Sequence, residues 1–189
     1  MNIAFFSCHS YEQSFLEAAN HHHQHQLTFL PQTLTPETVQ LAAGHQAICV
    51  FVNDQLTRPT LHALAQQGIR LVALRCTGFN QVDIPTAQEL GIRILRVPTY
   101  SPHSVAEHAV ALLMSLNRKT YLAYQRTKEN NFTLDGLMGF DLYGKQVGII
   151  GTGKIGAAFA RIMLGFGCRV LAYDKMHSAA LQPLGVVYL

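Results

Sequence analysis

Charge is scarce in this chain. Only 13% of its 189 residues are Asp, Glu, Lys or Arg, and the formal net charge is +3. No cluster of lysines and arginines gathers that small excess, so the sequence carries no electrostatic footprint for nucleic acid. No apolar stretch approaches the ~20 residues that a membrane-spanning helix needs. The four cysteines, Cys8, Cys49, Cys76 and Cys168, form no C-x-x-C pair, and each sits in or beside an apolar run. That pattern argues against a disulfide framework and for buried thiols in a reduced, cytoplasmic protein. The first residues, Met1-Asn2-Ile3-Ala4-Phe5-Phe6, lack the basic stretch of a signal peptide.

Apolar residues, by contrast, are plentiful. They make up 49% of the chain, enough for a sizeable core. Short apolar runs alternate with helical patterns. Ile3–Phe6, Leu27–Leu30, Ala47–Val52, Leu71–Leu74 and Arg93–Val97 read as strands covered on both faces, hence a parallel sheet. Pro59 suits a first helical position, with Leu61, Leu64 and Ala65 as the apolar stripe and Gly68 as the stop. The alternation predicts an α/β layered domain.

The two prolines of Val97-Pro98-Thr99-Tyr100-Ser101-Pro102 mark a domain boundary. Ser104 and Glu107 then fit a capping box opening a helix with Val105, Ala109, Leu112 and Leu116 on one face. Tyr124–Thr133 reads as a helix end and an exposed loop. From Val147 a second βαβ pattern runs. Its strand Val147–Ile150 leads into Gly151-Thr152-Gly153-Lys154-Ile155-Gly156. A helix with Ile155, Phe159, Ile162 and Phe166 on one face follows, then the strand Val170–Tyr173 and Asp174. Val186–Leu189 is a candidate third strand.

A lone G-x-G-x-x-G is weak evidence. Here it has a strand before it, a helix after it and an acid 18 residues beyond its last glycine, the context of a dinucleotide site. Gly151 permits the tight turn, Gly153 lets backbone approach a pyrophosphate, and Gly156 lets helix and strand pack closely. The helix start then offers free N–H groups and partial positive charge to the phosphates. Asp174, at a strand end, would accept hydrogen bonds from ribose hydroxyls and repel a 2′-phosphate, so NAD is expected over NADP. A Gly-rich turn without a nucleotide, or an α/β domain for a flavin or S-adenosylmethionine, is the alternative.

A dinucleotide motif that begins only at residue 151, behind a complete α/β domain, is unusual. With Leu74-Arg75-Cys76-Thr77-Gly78-Phe79-Asn80-Gln81-Val82-Asp83, Val97–Pro102 and Ser104-Val105-Ala106-Glu107-His108-Ala109, in that order, the chain resembles the D-2-hydroxyacid dehydrogenase family. Leu74–Asn80 and Tyr100 look most like its fermentative, NAD-dependent D-lactate branch. The resemblance implies a flavodoxin-like substrate domain, residues 1–100, lacking its returning C-terminal segment. Residues 101–189 would be the first half of a Rossmann NAD-binding domain. It implies reversible NADH-dependent reduction of a small 2-keto acid, pyruvate to D-lactate, in a homo-oligomer built through the NAD domains. The helix from Ser104 and the loop after Asn130 are the candidate interface.

Residue by residue, the resemblance implies that backbone N–H groups at Thr77 and Gly78 hold the substrate carboxylate and that Tyr100 closes over the substrate. Gly151, Gly153, Lys154, Ile155 and Gly156 would form the phosphate turn, and Asp174 would bind the adenosine ribose. The family's arginine, acid and histidine, which bind and protonate the substrate, have no match in this stretch. The stretch alone is therefore expected to be inactive. Another D-2-hydroxyacid substrate, or a non-catalytic NAD-sensing module, is the alternative. If the NAD sheet has the order 3-2-1-4-5-6, strand 1 is left as an open apolar edge.

Blander roles stand beside these. His21, His22, His23 and His25 read as a polar surface loop, with no metal ligands expected. Glu107 is explained as a cap rather than as an acid–base partner of His108. Arg75 either steers anions or forms a structural ion pair. Tyr100 reads equally as a packed hinge, and Lys154 as a solvated side chain.

Overall fold

The computed structural model describes residues 1–189 and divides into two compact units, Met1–Tyr100 and Ser101–Leu189. None of its helices is long and apolar enough to cross a membrane.

The first unit alternates strand and helix: β1 (Asn2–Phe5), α1 (Ser10–Asn20), β2 (Gln26–Phe29), β3 (Ala47–Val50), α2 (Arg58–Gln66), β4 (Leu71–Leu74), α3 (Ile84–Glu89) and β5 (Arg93–Arg96). All pairings are parallel, and the order is β2-β1-β3-β4-β5. That is the flavodoxin-like 2-1-3-4-5 sheet. Burial follows strand position. All four residues of central β3 are buried, whereas edge strands β2 and β5 have no fully buried residue and mix exposed with partly buried positions. The core gathers Phe6, Leu34, Ile48, Leu61, Leu64, Ile69 and Val72 on one face, each side chain contributing roughly 1.5–3 kcal/mol by leaving water. Phe5, Cys8 and Cys49 pack on the other.

Helix starts obey local chemistry, with shifts from the sequence reading. Thr57 is the N-cap of α2, which places Pro59 second rather than first. Gly68, at φ +83°, ends that segment in a conformation that favours glycine.

The second unit comprises α4 (Pro102–Arg118), α5 (Thr120–Lys128), β6 (Gln146–Ile150), α6 (Lys154–Gly165), β7 (Arg169–Tyr173) and β8 (Val187–Tyr188). Its three parallel strands lie in the order β6-β7-β8, so β6 is an edge. The capping box expected at Ser104 is not formed. Ser101 caps α4 instead, its Oγ accepting from the Ser104 N–H at 3.3 Å. Pro102 explains the earlier start: at the first helical position it has no N–H to satisfy, and its φ is already set for a helix.

The buried face of α4 is centred on Ala106 and Val110, which packs toward α6. The expected stripe lies to one side, with Leu112 and Leu116 more than half exposed. Lys119, in the left-handed conformation, breaks the helix, and α5 ends at Lys128, inside the stretch read as a helix end and an exposed loop. Likewise α6 buries Ala158, Ala160 and Met163, while Phe159, Ile162 and Phe166 are its half-buried flanks and Ile155 is exposed.

Candidate functional site

The second unit builds its candidate site at the carboxyl end of β6. Gly151 leaves the strand at φ +92°, a conformation that a side chain would strain. Gly153 is the N-cap of α6 and carries no side-chain cap, so the first N–H groups of this twelve-residue helix have no side-chain partner. A Cβ on Gly153 would meet nothing within 4 Å, whereas a Cβ on Gly156 would collide with the Gly151 carbonyl and sit 3.6 Å from Ile149 Cγ2. Gly156 therefore allows the helix to approach the turn itself as well as the strand. Lys154 is the first helical residue, and its side chain makes no ion pair. A cavity of about 410 Å³ opens beside the turn, lined by Val105, Ala109, Ile150, Gly151, Ile155 and Gly156 among others.

Asp174 follows the end of β7 and faces the turn. Its Oδ2 accepts from the Thr152 N–H at 2.6 Å and the Thr152 hydroxyl at 3.1 Å, and its Oδ1 accepts from the Met176 N–H at 3.1 Å. These bonds, the Thr152 N–H first, hold the carboxyl below the usual carboxylate range. Thr152 is 6% exposed, and its Oγ also accepts from the Tyr188 hydroxyl at 3.0 Å. The sequence reading passed over Thr152 and Tyr188, which lie 36 residues apart.

The first unit gathers Phe51, Val52, Arg75, Cys76, Thr77, Val97 and Tyr100 around a cavity of about 310 Å³, at the carboxyl ends of β3, β4 and β5. Of the residues expected here, Thr77 and Tyr100 line it. Gly78 is next in the chain and its carbonyl accepts from the Cys76 thiol at 3.2 Å. The Thr77 Oγ is buried with no partner, a polar atom available to a ligand. The Thr77 carbonyl is braced by Arg96 Nη1 at 3.1 Å. Phe51, Val52 and Val97 were not anticipated. Their only signal is position, immediately after a strand end, where open parallel sheets place ligands.

Arg75 proves to be a structural ion pair. Its Nε donates to Glu12 Oε1 at 3.0 Å, Nη1 to the Cys49 carbonyl at 3.1 Å, and Nη2 to the Phe6 and Ser7 carbonyls at 3.0 Å each. The guanidinium thus fills the crevice between the ends of β1 and β3, where the strand order reverses. Asp54, fully buried, supports the same rim. It accepts from the Ser7 hydroxyl at 2.8 Å and the Leu34 N–H at 2.7 Å, and also from the Phe51 N–H.

Residues 3–182 match the family model described as "D-isomer specific 2-hydroxyacid dehydrogenase, catalytic domain". The chain belongs to this family. It is 48% identical over 189 residues to the D-lactate dehydrogenase of Escherichia coli, covering all of this chain and 57% of that protein. The apo-structure of D-lactate dehydrogenase from Escherichia coli superposes with a TM-score of 0.95 at 48% identity, over 100% of this chain and 60% of that one. D-lactate dehydrogenase with NAD+ from Lactobacillus jensenii is similar at a TM-score of 0.73 and 31% identity, over 100% and 58%. The chain therefore spans a little over half the length of the relatives it matches. The parallel α/β architecture is the fold of these family members.

Proposed function

We propose that the full-length protein is an NAD-dependent D-2-hydroxyacid dehydrogenase that interconverts pyruvate and D-lactate. In this proposal Ser101–Leu189 contributes the nucleotide site and Met1–Tyr100 the substrate site. The observation that carries it is the turn at Gly151: positive φ, a side-chain-free helix start, and a carboxylate fixed at the end of the next strand. Those features suit a pyrophosphate and an adenosine ribose. Gly151, Gly153, Lys154, Ile155 and Gly156 would hold the phosphates through the backbone, and Asp174 the ribose. When bound, the nicotinamide would supply or accept the hydride. The relatives named D-lactate dehydrogenase, one of them described with NAD+, support the choice of cofactor and acid.

On the substrate side, Thr77 and Gly78 would meet the carboxylate through backbone N–H groups and Tyr100 would close over the acid. The unpartnered Thr77 hydroxyl and the small cavity beside it fit an acid of few carbons. The arginine, acid and histidine of the family are not supplied by residues 1–189, so this stretch alone is expected not to turn over substrate.

A homo-oligomer is part of the proposal. Leu112 and Leu116 on α4, and Phe132, Leu134, Met138 and Tyr143 in the segment after Asn130, are exposed apolar residues of the second unit. That segment is clipped in place by Asn117 to Phe140, Lys119 to the Gly136 carbonyl, and Arg126 to the Thr133 and Asp135 carbonyls. A fixed apolar surface suits a partner copy. The four free thiols fit a reducing compartment, the cytoplasm.

The deciding experiment is an NADH-coupled pyruvate assay on the full-length protein, with the product's handedness determined and the intact mass recorded. NADH oxidation giving D-lactate supports the reading. NADH binding without turnover of any 2-keto acid would replace it with a nucleotide-sensing module.

A further inference from the structure

The end of β8 is tied to the phosphate turn by a chain of hydrogen bonds that the dehydrogenase reading does not by itself require. The Ser178 N–H donates to the Tyr188 hydroxyl at 2.9 Å. That hydroxyl donates to Thr152 Oγ at 3.0 Å, and the Thr152 hydroxyl donates to Asp174 Oδ2 at 3.1 Å. Each hydroxyl gives one proton and takes one bond, so the chain has a single consistent direction. His177 lies flat on the Tyr188 ring, centroids 4.2 Å apart and planes 19° from parallel. Three elements are joined: the turn after β6, the end of β7, and β8.

The carboxylate's own capacity gives this arrangement a consequence. A carboxylate accepts about four hydrogen bonds. Asp174 uses two on Oδ2 and one on Oδ1, all inside the protein. The capacity left for a ligand is on the Oδ1 side, and the three internal bonds, with the Lys175 N–H also leaning on the carboxylate, fix where it points. Beside it on the same turn stand two groups that would favour a phosphate, Lys175 and His177. Discrimination between a ribose hydroxyl and a 2′-phosphate then depends on whether the carboxylate can swing aside.

We infer that Thr152 and Tyr188 are positioning residues for cofactor selection: they lock the Asp174 carboxylate against rotation, so that it receives a 2′-hydroxyl and refuses a 2′-phosphate. This rests on the proposed nucleotide site. Tyr188 acts only through Thr152, and His177 steadies the Tyr188 ring.

The test uses the full-length protein. Dissociation constants for NADH and for NADPH are measured by fluorescence titration, with thermal melting recorded on each variant. Thr152→Val and Tyr188→Phe are each expected to narrow the NADH-over-NADPH preference about fivefold, the size of one hydrogen bond. Thr152→Ser, which keeps the hydroxyl, is expected to retain the wild-type preference. In the Thr152→Val background, Tyr188→Phe is expected to narrow the ratio no further. A loss of fold stability alone would not move the ratio and is separated in this way. The inference is overturned if wild type binds NADH in preference but Thr152→Val and Tyr188→Phe leave the ratio within about twofold. It is also overturned if Tyr188→Phe acts equally with and without the Thr152 hydroxyl. If Tyr188→Phe does not fold, the Thr152→Val and Thr152→Ser pair decides alone. Absence of NADH binding by wild type would instead remove the nucleotide site itself, and the inference with it.

Discussion

Ile48 and Ile150 make a useful pair. Both belong to short apolar strands of parallel sheets, yet Ile48 is fully buried and Ile150 is 90% exposed. The first lies in β3, paired on both sides by β1 and β4. The second ends β6, paired only with β7. Position in the sheet and the face together set the difference, since Ile149, one residue earlier in β6, is 8% exposed on the covered face while Ile150 ends the edge strand on the uncovered one. Position in the sheet also separates the two units. The first surrounds its central strands with its own edges. The second leaves an apolar strand on the rim, beside the cavity where the nucleotide is proposed to bind.

The largest effect should come from attacking the closed unit where it is tied together. Arg75→Met leaves Glu12 and three carbonyls without their cation, and since the pair is largely but not fully buried the loss should be up to about 3 kcal/mol, the lower end for a buried pair. Hydrogen exchange followed by mass spectrometry should show the loss across Met1–Tyr100 and little change in Ser101–Leu189. Equal loss in both would mean that the units are not independent in stability.

Gly156→Ala attacks the open unit at its tightest point. The new methyl meets the Gly151 carbonyl, and overpacking of this kind costs about 1–3 kcal/mol. NADH affinity should fall at least about tenfold as the turn shifts, since 1.4 kcal/mol of binding is one decade. An unchanged titration would show that the turn does not hold the cofactor. Next in size, the 1–189 stretch made on its own should self-associate through the β6 edge. Sedimentation velocity showing a monomer that melts cooperatively would contradict this.

Smaller effects belong to Asp174. Asp174→Ser should bring NADH and NADPH affinities closer by about tenfold, the scale of a charge-assisted bond. An unchanged ratio would exclude the carboxylate from cofactor choice. The pH dependence follows from its sign. The carboxyl is held below its ordinary value of 3.8 in the folded chain, chiefly by the Thr152 N–H. Its contribution is therefore fully present above that value and is lost only as the pH falls below it. Turn stability and NADH affinity should be flat through neutral pH and decline in that acid window in wild type but not in Asp174→Asn.

What the sequence made legible was local. The turn at Gly151 declares itself because each glycine answers a constraint within a few residues, and the strands because apolar runs have length and spacing. The start of α4 was misplaced by three residues because two serines, Ser101 and Ser104, both suit a cap and only the proline at 102 discriminates. The long-range ties were beyond such patterns. Arg75 reaches partners 63 to 69 residues earlier, and Tyr188 meets Thr152 across 36. Nothing in periodicity or capping records which strand ends will become neighbours. Asp54 is hidden for the same reason: its three partners come from loops after three different strands.

The Arg75–Glu12 pair has one further implication. The guanidinium on the wall of the small cavity has its charge answered at 3.0 Å and four of its five N–H groups engaged. It is a brace rather than a hand. An acid proposed to bind there would draw little net attraction from Arg75; the cation of this rim without a carboxylate partner is Arg96, which holds the Thr77 carbonyl. In the proposed dehydrogenase Arg75 would therefore shape the pocket and leave the grip on the acid's charge to other groups.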